Sequence, residues 1–313
     1  MKHNLKITII LLAMFLVTQF IGLAVLYADP LHIEVNINGT NQKISNPYLY
    51  FLATPEPQNN TQAGGFLLQL IISFGIAIFL LFLLMKFRLK NFLKAWFLMV
   101  VTIALFLTFL AFEILIPFTI NLKTALIIAL IIAIPLAFIK IYKRNFLVHN
   151  LTELLVYPGI AAVFVPILNL FTIIALLIII SIYDMWAVWH SGIMQKMARY
   201  QIDKLNVFSG FFIPYLSQRI KQKIKKLKKS QLKKKKFKVN VAILGGGDVI
   251  FPIIAAGVML KYFGFIGALF VTIGATLGLA GLFFLAEKKK FYPAMPFITS
   301  GIFLGMILNW LIF

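Results

Sequence analysis

The chain has 313 residues, 61% of them hydrophobic and 12% charged, with a mean hydropathy of +0.96. That is too much apolar surface for a water-soluble globule. The net charge of +21 has the size expected of a nucleic-acid binder, but its distribution along the chain speaks against one. No cysteine is present, which excludes disulfides and thiolate metal sites.

The composition predicts an all-α polytopic membrane protein. About 20 apolar residues cross a hydrocarbon core roughly 30 Å thick. Nine runs near that length occur, at 7–27, 66–86, 95–116, 124–140, 148–167, 170–190, 239–260, 264–286 and 293–312. The first follows Lys2 and Lys6 and ends on Leu26-Tyr27-Ala28, without the small residue that cleavage needs at its third-last position, so it reads as an uncleaved span. Residues 28–65 form a Pro- and Asn-rich outer loop, in which the alternation of 32–37 predicts a brief hairpin. Spans two and three flank a turn carrying Lys86, Arg88, Lys90 and Lys94. Glu113, near the end of the third span, reads as an interfacial carboxylate.

The fourth span descends to Lys140, Lys143 and Arg144. Glu153, near the inner start of the fifth, reads as interfacial or paired with a nearby base. Pro166 and Asn169 mark the turn into the sixth span, which carries Tyr183-Asp184 and ends on Trp186, Trp189 and His190, ordinary residues for a membrane interface. Residues 191–238 are the one long inner loop, with fifteen Lys and Arg against a single acid, Asp203. Such a run is drawn to anionic lipid head groups. Within it, 207–216 is apolar but too short to span, and is expected to lie on the membrane surface or against the helices. The seventh span starts at about Val239, the eighth is rich in small residues that let helices approach closely, and the ninth opens with Tyr292-Pro293-Ala294-Met295-Pro296.

With the amino terminus in the cytoplasm and the spans alternating, the inner segments hold 27 of the 30 Lys and Arg, and only Lys43, Lys123 and Lys261 lie outside. That is the positive-inside pattern. It predicts a multi-pass protein of the cell membrane with no nucleic-acid partner and its carboxyl terminus outside. The single membrane domain divides into 1–190 (spans one to six), the basic loop 191–238, and 239–313 (spans seven to nine).

Two aspartates lie well inside spans, Asp184 and Asp248. An ionised aspartate at mid-membrane costs about 2.5–3.5 kcal/mol on insertion scales, so such residues face a partner or a wet cavity. Asp184 precedes the inner end of its span by six residues and Asp248 follows an inner start by nine, which puts them ~9 and ~14 Å deep at about 1.5 Å per residue. They can meet. Two carboxyl groups in contact would share one proton and titrate in coupled steps, the aspartic-protease arrangement in which one activates water and the other polarises a carbonyl. No metal or cofactor is needed. Gly245, Gly246 and Gly247 on one side of Asp248 and Pro252 on the other predict a helix loosened on both sides of the acid. Freed backbone groups there could pair with an unwound substrate segment as an added strand.

Tyr183-Asp184, Gly245-Gly246-Gly247-Asp248 and Pro293-Ala294-Met295 resemble the YD, GxGD and PAL motifs of the presenilin and signal peptide peptidase family of intramembrane aspartyl proteases. The resemblance covers all three motifs in order and nine spans. It implies that Asp184 and Asp248 are the catalytic pair, that Tyr183, the three glycines and Pro293 to Met295 shape the site, and that substrates are single-span membrane proteins. No accessory subunit is evident. Met295 stands where the family has Leu, a volume-conserving change. The predicted topology is similar to that of an archaeal presenilin homologue, and by analogy 207–216 could act as a plug or gate. Two other classes remain open: a proton- or cation-coupled transporter or channel using the same acids, and a prepilin- or preflagellin-type peptidase.

Overall fold

In a computed structural model of the protein, the described residues are 5–37, 40–52, 56–87, 89–116, 121–143, 145–191, 209–215, 240–286 and 292–313. Helix α1 (Leu5–Ala28) is followed by strands β1 (His32–Ile37) and β2 (Thr40–Ser45). Next come α2 (Asn60–Lys86), α3 (Lys90–Leu115), α4 (Leu122–Tyr142), α5 (Phe146–Phe164) and α6 (Leu170–Trp186). Strand β3 (Gly210–Tyr215) precedes β4 (Asn240–Gly245), and the chain ends with α7 (Gly246–Leu285) and α8 (Met295–Ile312). The hairpin expected in the outer loop is β1 paired antiparallel with β2.

Among the described residues, eight helices are long and apolar enough to cross a membrane, not the nine expected. The difference lies in α7. It runs for 40 residues, but Gly264 within it has φ 68° and ψ −167°, a left-handed backbone that a residue with a side chain adopts at a cost. The two arms, 246–263 and 265–285, run in opposite directions. Gln19, Gly22 and Leu26 of α1 meet Val249, Ile253 and Gly257 in turn, so the first arm runs parallel to α1. The second arm runs antiparallel to α8, with Gly274 against Gly301 and Gly278 against Phe297. In both places the backbones touch, and a Cβ on Gly274 would stand 2.1 Å from the Gly301 carbonyl oxygen. The small residues of the eighth predicted span therefore pack as expected.

The second difference is at 239–245. The apolar run there suggests helix, whereas Asn240–Gly245 is a strand that pairs antiparallel with Gly210–Tyr215. Of the two placements expected for this apolar segment, 210–215 takes the one against the helices, as a strand whose Phe211 is buried beside Tyr157 of α5. The rest of 207–216 and nearly all of the basic loop lie outside the described residues. Between α3 and α4 the contact is made by Ala125, Ala129, Ala133 and Ala137, buried at four-residue intervals on one stripe.

Candidate active site

Strand β4 leads directly into the glycines. Gly245 is the N-cap of α7, with φ −64° and ψ 146°, so Gly246, Gly247 and Asp248 form the first helical turn. The stretch is thus not loosened on both sides of the acid. It is a strand up to Gly245 and a helix that continues through Pro252. Asp248 is the third residue of that helix, two residues beyond its start and not nine. Its carboxyl group takes a hydrogen bond from the Gly245 N–H, the reach-back that closes one half of a capping box. A Cβ on Gly246 would lie 3.0 Å from the Tyr157 hydroxyl and 2.9 Å from Ser209 Oγ. Gly246 is there because the backbone passes under Tyr157 of α5.

Asp184 comes from α6 and is buried. Its Oδ2 accepts from the Met295 N–H at 3.0 Å, and the Ala294 N–H also donates to this carboxyl group. Ala294 is the N-cap of α8 and Met295 its first residue. Pro293 and Pro296 on either side have no N–H to give. Both backbone donors of Pro-Ala-Met-Pro therefore go to Asp184, and Met295 contributes an amide in addition to volume. One turn further into the bundle, Ser181 Oγ donates to Thr299 Oγ1 at 2.9 Å in a buried contact, which ties α6 to α8 below the acid.

The two carboxyl groups sit at neighbouring helix N-termini, Asp248 on the start of α7 and Asp184 on the start of α8, where the first N–H groups lack intrahelical partners. Beside Gly247, an apolar cavity of about 250 Å³ opens between Leu70 and Phe74 of α2, Phe164 of α5, Leu176 of α6 and Phe251 of α7. Tyr183 precedes Asp184 on α6 but does not line the cavity. It is exposed and leans on Trp186, with ring centroids 6.4 Å apart.

Sequence reasoning missed three side chains around the site. Gln19 of α1 is buried and donates from Nε2 to the Val249 carbonyl at 3.1 Å. His149 and Asn150 of α5 bond the backbone of β3, at Gly210 and Phe212. Glu153 has its base, Lys140 Nζ at 2.7 Å, but the pair is buried, at 1% and 4% exposure, and so is not interfacial. Polar residues on the inner turns of an apolar helix were the available signal.

The sequence model of the family described as signal-peptide peptidase, presenilin aspartyl protease matches residues 12–313. The chain belongs to this family. Its fold agrees with a solved structure described as a presenilin family intramembrane aspartate protease in C222 space group. That structure superposes with a TM-score of 0.61 at 16% identity, over 98% of this chain and 99% of the other. A second, described in the same words in P2 space group, gives 0.58 at 17% identity over 97% of each. A search of the curated proteins finds no match. Presenilin and signal-peptide peptidase relatives are intramembrane aspartic proteases, and in this member Asp184 of α6 and the start of α8 are joined by the Met295 N–H.

Proposed function

We propose that the protein hydrolyses peptide bonds within or near the transmembrane helices of single-span substrates, with Asp184 and Asp248 as the catalytic pair. The observation that carries this is the placement of two acids, 64 positions apart in sequence, at helix starts inside an apolar bundle, Asp248 in the first turn of α7 and Asp184 held by the Met295 amide at the start of α8. Water between them loses a proton to one carboxylate as its oxygen attacks the substrate carbonyl carbon. The other carboxyl group, protonated, hydrogen-bonds the carbonyl oxygen. Collapse of the tetrahedral intermediate breaks the C–N bond, with a proton passed to the leaving nitrogen. No metal or cofactor takes part. Gly245 to Gly247 bring the backbone close, and Pro293, Ala294 and Met295 hold the Asp184 carboxyl group in its orientation.

In this reading the two arms of α7 are the seventh and eighth of nine spans, the amino terminus is cytoplasmic and the carboxyl terminus lies outside. The basic loop then faces the anionic inner leaflet of the cell membrane. A substrate helix that reaches the cavity by Gly247 unwinds at the scissile bond and adds to the outer edge of β4. There the backbone groups of Val241 and Ile243 point away from β3, because their partners Pro214 and Phe212 do the same.

The test uses detergent-purified protein with a single-span reporter. Asp184→Ala and Asp248→Ala should each reduce cleavage on the order of 10⁴-fold. Cleavage that survives both substitutions would sink the proposal, as would ion flux dependent on both acids in a protein that cuts nothing.

A further inference from the structure

The outer edge of β3 is already taken. Asn150 of α5 donates from Nδ2 to the Phe212 carbonyl at 2.8 Å and accepts the Phe212 N–H at Oδ1, 3.1 Å away. One side-chain amide thus makes both bonds that a neighbouring strand would make to that residue. Two residues earlier, the Gly210 carbonyl accepts from His149 Nε2 at 2.9 Å. Two residues later is Pro214, which has no N–H to leave unpaired. All three positions point away from β4, since alternate residues of an antiparallel strand face opposite edges. The imidazole of His149 also lies on Phe212, with ring centroids 4.8 Å apart.

The helix that makes this contact is anchored in turn. Lys140 of α4 holds Glu153 Oε1 at 2.7 Å, with both side chains buried, and His149 Nε2 stands 3.5 Å from the same oxygen. A buried ion pair recovers little more than its desolvation, so net stability is a weak reason for having one. Fixing the rotation of α5 beneath β3 is a better one. A two-stranded sheet is marginal by itself, and this one ends at Gly245, three residues before Asp248. Wherever β3 and β4 sit, Gly245 and the carboxyl group bonded to it follow.

We propose that Asn150, assisted by His149, is a positioning residue for peptide-bond cleavage. It closes the β3 edge, so that the sheet offers a substrate one edge and not two, and it fixes the register of the β4 edge against Asp248. This rests on the reading that substrate adds to β4 as a strand. Asn150 itself touches neither acid. Its effect is on which bond reaches them.

The experiment compares full-length variants on the single-span reporter, with product masses, kcat, KM and thermal midpoint measured for each. Wild type fixes the reference bond. Asn150→Ala should spread the products over neighbouring bonds, with minor cuts rising at least severalfold, and raise KM about tenfold. Its kcat at the main bond should stay within a factor of about three, and its midpoint within a few degrees. Asn150→Asp keeps the acceptor and should fall between the two. Ile243→Pro removes an edge N–H from β4 without removing a ladder bond, and should raise KM whatever stands at 150. A product pattern and KM in Asn150→Ala equal to wild type, or a uniform loss that follows the thermal midpoint alone, would overturn the proposal. An Ile243→Pro protein with unchanged KM would instead reject strand addition, and a wild type that cuts nothing would reject proteolysis itself.

Discussion

The seam between the second arm of α7 and α8 and the wall made by α2 are built on opposite terms. At the seam, glycines oppose one another and the two backbones touch, Gly274 against Gly301 and Gly305 against Phe270. Helix α2 is more apolar, yet among its described side chains only Ala63, Leu67 and Leu70 are buried. In lipid, an apolar side chain gains nothing by leaving the tails, so helices hold together through close packing and polar contacts. Small residues decide what is rigid. The seam carries the two amides that orient Asp184, whereas α2 borders the cavity beside Gly247. One side of the site is closely packed and the other is loosely packed.

The comparison breaks most severely at the seam. Gly301→Leu puts a side chain where a Cβ would already stand 2.1 Å from the Gly274 carbonyl oxygen. Backbone atoms cannot move aside as a rotamer can. The expected cost is at or above the upper end of the ~1–3 kcal/mol range for overpacking, measured as the loss of folded protein in thermal or denaturant titration, together with loss of cleavage. A variant as stable as wild type would show that the seam is not what holds α8.

A substitution on the other wall sharpens the contrast. Phe74 lines the cavity and is 42% exposed. Phe74→Ala should change stability by no more than ~0.5 kcal/mol, as for a surface site, while shifting the KM for the reporter severalfold by widening the cavity. Stability and substrate binding would then separate on α2 and fall together at the seam.

The smallest effect is expected at the far end of the bundle, outside the spans. Burial by itself would raise the Asp29 carboxyl group, but hydrogen bonds from His32 and Lys43 outweigh it and hold the group below the usual aspartate value. A folded value below the unfolded one means stability that is present above an ordinary aspartate pKa of about 3.9 and is lost as pH falls through the lower folded value. Asp29→Asn should therefore lower stability by under ~1 kcal/mol at neutral pH, with the difference from wild type closing in strong acid. A pH-independent difference would show that shape, and not charge, is what Asp29 supplies. Lys261 pairs with Glu56 at 3.0 Å at the same end, so two of the three lysines expected outside are neutralised by acids there.

Much of the architecture was legible because the bilayer imposes it. A run of about 20 apolar residues has one stable conformation in lipid, where every backbone group must be bonded within its own segment. The predicted limits of 7–27, 124–140 and 293–312 accordingly fall close to Leu5–Ala28, Leu122–Tyr142 and Met295–Ile312. The acids were legible by their cost in apolar segments, and the order of the three motifs pointed to the family that the whole-chain match then established.

What sequence could not decide is where apolar chain stops being helix. Val241-Ala242-Ile243-Leu244 is as apolar as a span, and hydrophobicity does not distinguish a short buried strand from a helical turn. Only the partner did: Gly210–Tyr215, separated from it in the chain by the basic loop, supplies the ladder. The same holds for the amides of Ala294 and Met295 on Asp184 and for Asn150 on Phe212. Each is a contact between segments distant in the chain. Local composition determined that this protein spans a membrane and that two aspartates lie in its apolar segments. Tertiary structure decided what each acid is bonded to, because a hydrogen bond depends on a partner's position in space and the sequence records only its position along the chain.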